Sequence, residues 1–549
     1  MALFILALML TSQVAYAAEE GHDHEIILKN GTVYDGGGAP PYQADIAIDG
    51  DRITAIGDLA GKSAATEIDV DGLAVAPGFI NTLSWSNTSL IQDGRSMSDI
   101  YQGVTLEVMG EGHSMGPLNE AMKAEKLEEQ GDIKYDVAWT TLGEYLQHLE
   151  DLGVSTNVAS FVGASTVRLH EVGYEDRPAT AEELQRMKEL VRQAMREGAV
   201  GLSSALVYVP GNFSSTEELV ELASAAAEFD GLYTSHMRNE GKNIFEALDE
   251  FLAIVRGSGI RGEIYHLKVS GKENWDKLEG VISRVEQARA EGLAVTADMY
   301  TYHASSTGLT IELPGWAKEG GHDAMIQRLK DPEIRVRMIA DMDMIPPEDL
   351  LLTSFETEAL RPLTGKTLAE VAAARGTSPE ETAFDLIVED DSRIGTVRFT
   401  MSEDNIRRKI GLPWMSFCSD SASQFPEPPF TYSQPHPRGY GAFARLLGKY
   451  VRDEQVIPLE EAIRRLTRLP ASNLRLERRG MLVPGYFADV VVFDPARVRD
   501  KATFEEPHQL AEGMVHVFVN GTQVLNGGKH TGAVPGRFVK GPGYAPQSQ

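Results

Sequence analysis

The chain has 549 residues, 42% of them hydrophobic and 24% charged, which is enough apolar content to fold around a large core without a partner. Asp and Glu (81) outnumber Lys and Arg (51), and the net charge of −30 disfavours nucleic acid or an anionic membrane surface as a partner. The one cysteine, Cys418, excludes an internal disulfide, so stability must come from packing.

Residues 1–18 read as a secretory signal. An apolar run from Ala2 to Leu10 precedes Ala15-Tyr-Ala17, a small-x-small cleavage pattern; the usual cationic start is absent, and the run is too short to span a membrane. The mature protein is expected to be exported, either periplasmic or secreted. From Glu25 to Asp35, β-formers cluster around an Asn-Gly turn, and Ala44 to Ile56 reads as a hairpin. A matching pattern returns in Ala488–Asp494 and Val515–Val524. These segments predict one small β-sandwich domain built from both ends of the chain, residues 25–73 and 480–540, with residues 74–479 inserted between them.

The inserted stretch carries eight β-rich runs: Ala74–Asn81, Val104–Gly110, Val158–Gly163, Ala199–Ala205, Leu232–His236, Gly262–His266, Ala294–Met299 and Trp414–Asp420. Helical segments such as Ala181–Glu197 and Ser215–Phe229 lie between them, opened by Ser or Thr and acidic residues in the manner of an N-cap. Alternating strand and helix implies a parallel sheet of the α/β class, and eight repeats imply a closed (β/α)8 TIM-like barrel. The interval between the seventh and eighth runs is too long for one crossover. Residues 310–400, roughly, therefore read as an insertion before the last barrel strand, on the face where such barrels keep their active sites, and form a candidate lid.

Two of these runs end in histidine one βα unit apart, at His236 and His266, and a third closes on Asp420. Two imidazoles and a carboxylate are the donor set of a catalytic zinc that keeps one position open for water. Glu111, just past the second strand, is the expected third ligand, and Glu107, on the same face of that strand, competes with it. His113 and His303 are alternatives that nothing in their spacing requires. Asp420 is placed to take a proton from attacking water and hand it to a leaving amine. Cys418 reads as a small core residue and not as a nucleophile.

Five pieces of sequence, in this order and spacing, make the reading more specific: Val75-Ala-Pro-Gly-Phe-Ile80, Gly201-Leu-Ser-Ser204 with Tyr208, Tyr233-Thr-Ser-His-Met-Arg238, the stretch from Tyr300 to Leu309, and Pro435-His-Pro-Arg438. Together they resemble the amidohydrolase superfamily, and within it the D-aminoacylases or N-acyl-D-amino-acid deacylases, from about residue 25 to about residue 530. The resemblance implies hydrolysis of a linear amide bond in a small N-acyl amino acid of D configuration, through a metal-activated water. It matches His236 and His266 to a tightly held metal and Asp420 to the catalytic aspartate. Glu111 falls where the family usually has a metal-binding cysteine, provided that one residue is deleted here. Arg438 and Tyr302 are the implied carboxylate-binding residues, and Arg238 and Lys268, which closely follow the metal histidines, join Tyr208 in the expected substrate-binding set.

The chain departs from the pattern at the first strand. Leu83 and Trp85 stand where the superfamily carries a His-x-His pair, and neither can bind a metal. A single zinc ion (Zn2+) on Glu111, His236 and His266 is therefore expected. Two other readings stay open, an amidohydrolase acting on cyclic amides or dipeptides and a catalytically inactive relative that binds an acylated ligand.

Overall fold

The strands Val104–Met109, Gly201–Ala205, Leu232–His236 and Val295–Met299 are buried at every position, on both faces of the pleat. Burial of that kind requires a parallel sheet covered by helices, because an exposed face would call for alternating polar residues. The computed structural model describes residues 21–546, so the expected leader at 1–18 lies outside the described residues.

A six-stranded parallel sheet runs, in spatial order, through Val162–Gly163, Gly201–Ala205, Leu232–His236, Arg261–Ile264, Val295–Met299 and Met415–Phe417. A three-stranded parallel sheet joins Phe79–Asn81, Val104–Met109 and Asn157–Ser160. The two sheets adjoin where the chain changes partner at Phe161. On the far side Ser84 bridges Ser421 in parallel, and the Trp85 N–H donates to the Ser421 carbonyl at 3.0 Å.

Amphipathic helices cover this layer. Ile244–Ser258 buries Ile244, Leu248, Phe251, Leu252 and Val255 along one stripe, and the Phe251 ring stacks on Tyr233 with centroids 5.7 Å apart. Ala181–Glu197 starts at a reciprocal cap between Thr180 and Glu183 and ends at Gly198, whose φ of 111° closes the last turn. Among the described residues, no helix is long and apolar enough to cross a membrane.

The two ends of the chain meet in one hydrogen-bonded sheet. Pairing runs through a single nine-stranded sheet that passes from Lys529–His530, Thr522–Asn526, Met514–Val519 and Val490–Phe493 through Ala74–Pro77 and His24–Val33 to Tyr42–Asp49 and Arg52–Gly57. His24–Val33 takes two partners along one edge, Ala64–Asp69 beside its first half and Ala74–Pro77 beside its second. An irregularity between Leu28 and Gly31, with Asn30 at φ 63°, bends the strand enough for both.

The insertion carries an antiparallel sheet of Ser305–Gly308, Gly395–Arg398 and Leu350–Ser354, together with the helices Gly321–Leu329, Pro332–Asp341, Leu368–Arg375 and Pro379–Asp390. It has its own apolar core, which includes Leu309, Leu329, Leu352, Phe384 and Ile387.

Within the six-stranded sheet, buried Glu263 accepts hydrogen bonds from Thr296 Oγ1 at 2.8 Å and Asn473 Nδ2 at 2.7 Å. Burial, reinforced by the neighbouring Asp298, pushes its carboxyl up to about 7 from an ordinary 4.5. The folded state therefore keeps this proton longer than the unfolded chain does. Its contribution is complete below about pH 4.5 and is lost as the pH rises through 7. Melting curves of Glu263→Gln should lie close to those of the parent at pH 4.5 and at higher temperature than the parent at pH 8; parallel curves at both pH values would contradict the assignment.

Candidate active site

Glu111 occupies a turn between two glycines of positive φ, Gly110 at 100° and Gly112 at 63°. A Cβ at Gly112 would lie 2.5 Å from the Ala205 methyl, so only glycine lets the backbone pass and turn the carboxylate inward. His236 closes the strand Leu232–His236. His266 lies two residues beyond Arg261–Ile264 at φ 33°, with its N–H held by Asp298 Oδ1 at 2.5 Å. A non-glycine residue in this left-handed region is strained, and the aspartate anchor keeps it there.

These three side chains meet. Glu111 Oε1 lies 2.9 Å from His236 Nδ1 and 3.1 Å from His266 Nε2, and the two imidazole centroids are 4.4 Å apart. Burial opposes charge on Glu111, but hydrogen bonds from both rings outweigh it and hold the carboxyl well below the usual range. For His266, burial and Lys268 oppose the imidazolium; the carboxylates of Asp420, Glu240 and Glu111 overcome them and raise its pKa to about 10. The three donor atoms lie within 4.8 Å of one another, and two imidazoles with one carboxylate fit a divalent cation of zinc's preferences.

Asp420 sits at φ 49° beside this cluster, on the wall of the same cavity. The Trp85 indole N–H donates to its Oδ1 at 3.1 Å, and Arg438 Nη1 reaches its Oδ2 at 2.6 Å. Arg438 is itself buried, with its guanidinium 4.5 Å above the Tyr300 ring. Of the two residues in place of the His-x-His pair, Leu83 is core and Trp85 has become a donor to Asp420.

The cavity has a volume of about 1380 Å³. One wall holds Glu111, His236, His266, Asp420 and Arg438, and the insertion forms the other with residues such as Thr307, Lys318 and Arg393. Tyr208 and Lys268 also line it. The Tyr208 ring stands edge-on to His236 at 5.2 Å, and Lys268 Nζ lies 2.8 Å from Glu240 Oε1 and 2.7 Å from His266 Nδ1.

Two expected substrate residues are otherwise engaged. The Tyr302 hydroxyl donates to Asp500 at 3.0 Å and its ring lies under Arg445, so it is absent from the cavity wall. Arg238 lines the cavity, but its guanidinium is taken up by Glu250 and by the carbonyls of Asn212 and Ser214. Glu107 accepts from Ser84, Ser96 and Thr156 and stands apart from Glu111, His236 and His266. His113 lines the cavity outside the ligand cluster, and the His303 ring packs against Phe399 and Phe504. Cys418 is buried with Sγ 3.4 Å from Asp298 Oδ1, and burial pushes its thiol pKa up, as suits a core residue.

Sequence reasoning missed three residues. Glu240 Oε1 lies 3.1 Å from His266 Nδ1, the position from which a carboxylate orients a ligating imidazole. Its place four residues after His236 is the only local signal for it. Asp298 anchors the His266 backbone, and Trp85 acts as a donor; both contacts link residues distant in the chain.

The amidohydrolase family model matches residues 66–525. A D-aminoacylase of Alcaligenes xylosoxydans xylosoxydans is 35% identical over 94% of this chain and 97% of its own. An N-acyl-D-glutamate deacylase of the same organism is 33% identical over 91% of this chain and 93% of its own. Among solved structures, an N-acyl-D-glutamate deacylase from Bordetella bronchiseptica, complexed with zinc and a phosphonate mimic of the tetrahedral intermediate, is similar at 31% identity. The match covers 94% of this chain and 99% of that one, with a TM-score of 0.79. With parallel strands that end on a metal-competent triad beside an aspartate, the chain belongs to the amidohydrolase family, among the D-aminoacylase-like hydrolases of carbon–nitrogen bonds.

Proposed function

We propose that this protein hydrolyses the amide bond of N-acyl-D-amino acids to a carboxylate and a free amino acid, using one zinc ion held by Glu111, His236 and His266. The convergence of those three donors beside Asp420 in a single cavity carries the reading. Leu83 and Trp85, at the positions of the missing imidazoles, support one ion instead of two.

When bound, the ion supplies Lewis acidity, which acidifies water and polarises the amide carbonyl. The remaining work falls to side chains. Asp420, with both oxygens held by Trp85 and Arg438, accepts the proton of the attacking water and returns it to the departing nitrogen. Glu240 orients His266 from the far side of its ring. Arg438 and Lys268 are the cations of the inner wall that can receive the substrate's α-carboxylate.

In this reading the two parallel sheets, with Asn157–Ser160 and Val162–Gly163 counted as one strand that changes partner at Phe161, form one (β/α)8 barrel within residues 74–479, with 25–73 and 480–540 as the small domain and 1–18 as an export leader. The partner change at Phe161 and the Ser84–Ser421 bridge support closure. Amine release from matched N-acetyl-D- and N-acetyl-L-amino acids by the zinc-loaded protein tests the activity. Release from the D series alone is expected. Turnover of L substrates only, or none with zinc bound, would sink the proposal, and turnover of cyclic amides or dipeptides in their place would reassign the substrate.

A further inference from the structure

The protein carries a net charge of −30, yet several cations that line the outer part of the cavity make no ion pair. Arg238, Lys268, Lys272, Arg398 and Arg438 each have a carboxylate partner. Lys126, Lys242, Lys318 and Arg393 do not: among the described residues, none of the four has a carboxylate oxygen within the 4.0 Å of an ion pair, and Lys242 is exposed. Arg393 Nη2 has the Thr307 hydroxyl at 3.3 Å, and Lys318 Nζ has the Thr310 carbonyl at 3.2 Å. Glu125 and Glu129 are near enough to Lys126, and Glu312 to Lys318, to favour the cations' charge, but Glu125 accepts from the Tyr174 hydroxyl at 2.7 Å and Glu312 pairs with Arg398 at 3.0 Å.

This group stands close to the reacting centre. Thr307 Oγ1, the partner of Arg393, is 2.8 Å from the Tyr208 hydroxyl, and the Tyr208 ring is the one set edge-on against His236. Lys126 and Arg393 line the same cavity as His113. Lys318, although burial lowers it to about 8, stays largely protonated at neutral pH. The turn that presents Arg393 is strained, since Asp391 at φ 50° and Ile394 at φ 46° both lie in the left-handed region, which a β-branched residue rarely enters. Strain of this kind is kept where a side chain must be aimed.

We infer that Arg393, Lys318 and Lys126 form an anion subsite, and that the preferred substrate is an N-acyl-D-amino acid carrying a second carboxylate beyond the α-carboxylate. This rests on the deacylase reading above. The second carboxylate can belong to an acidic amino-acid side chain or to a dicarboxylic acyl group, and paired substrates separate the two sources.

The experiment compares kcat/KM of the zinc-loaded protein for N-acetyl-D-glutamate against N-acetyl-D-glutamine, and for N-succinyl-D-methionine against N-butanoyl-D-methionine. A charged-to-neutral preference of about 10- to 100-fold is expected in one pair, the scale of a charge-assisted hydrogen bond, and the pair that shows it identifies the source. Arg393→Met and Lys318→Met should each pull that ratio toward one, and Arg393→Glu should invert it. Equal rates within both pairs, or a preference unmoved by all three variants, would overturn the subsite while leaving the deacylase reading intact. Hydrolysis of none of the four overturns both.

Discussion

Asp420→Asn is expected to leave the protein folded and metal-loaded but to lower kcat by about 10²–10⁴-fold, the usual worth of a positioned general acid–base. An amide has the carboxylate's shape and can keep one oxygen toward Trp85 or Arg438, but it cannot accept the water proton and pass it on. The loss should therefore fall on kcat more than on KM. Trp85→Phe isolates the orienting contribution, because it keeps an aromatic ring on the cavity wall and removes only the N–H that holds Oδ1 at 3.1 Å. A fall of about tenfold is expected for it, the worth of one hydrogen bond to a charged group. Steady-state kinetics alongside zinc analysis check both, and near-parent turnover by the Asp420→Asn variant would remove Asp420 from the chemistry.

His266→Ala and chelation of the parent should both take metal content from the proposed one equivalent to near zero and abolish turnover. The remaining pair, His236 and Glu111, is one donor short of the three protein ligands that catalytic zinc sites employ. Because metal bound only to the native state stabilises it by mass action, the chelated parent should also melt lower, by the equivalent of about 4 kcal/mol where free zinc had been a thousandfold above its Kd. Without a cation His266 keeps its proton up to about pH 10, so zinc uptake must expel that proton and its affinity should rise with pH through the neutral range. Zinc titrations at three pH values, with stoichiometry by elemental analysis, check this. Two equivalents in the parent would refute the single-ion site, and full occupancy in His266→Ala would refute the ligand set.

The strand-end positions of Glu111, His236 and His266 were legible because strand ends leave a local mark. An apolar run closed by a histidine, repeated one βα unit later, requires no knowledge of the rest of the chain, and the glycines around Glu111 announce a turn. Beyond the strand ends that legibility fails. Val295–Met299 stops just before Tyr300, so alternation no longer says which of Tyr300 and Tyr302 turns inward, and it is Tyr300 that lies beneath Arg438. Arg238 looked free because Glu250, its partner, lies on the following helix. The terminal strands read correctly as β, but the irregularity at Asn30, beside which one strand takes two partners, depends on tertiary pairing and leaves no mark in the alternation pattern.

The insertion leaves and rejoins the rest of the chain side by side, since Gly308 pairs directly with Gly395. Its apolar core is separate, and Glu111, His236, His266 and Asp420 all lie outside it. Residues 309–394 can thus be excised and replaced by a two-residue turn, closing the flanking strands into a plain hairpin. In such a miniature enzyme the chemistry would stay in place while the roof and two of its cations, Lys318 and Arg393, went with the excised piece. Grafting the corresponding segment from a relative would then transplant substrate choice onto an unchanged reaction centre, so this architecture allows selectivity to be traded as a cassette.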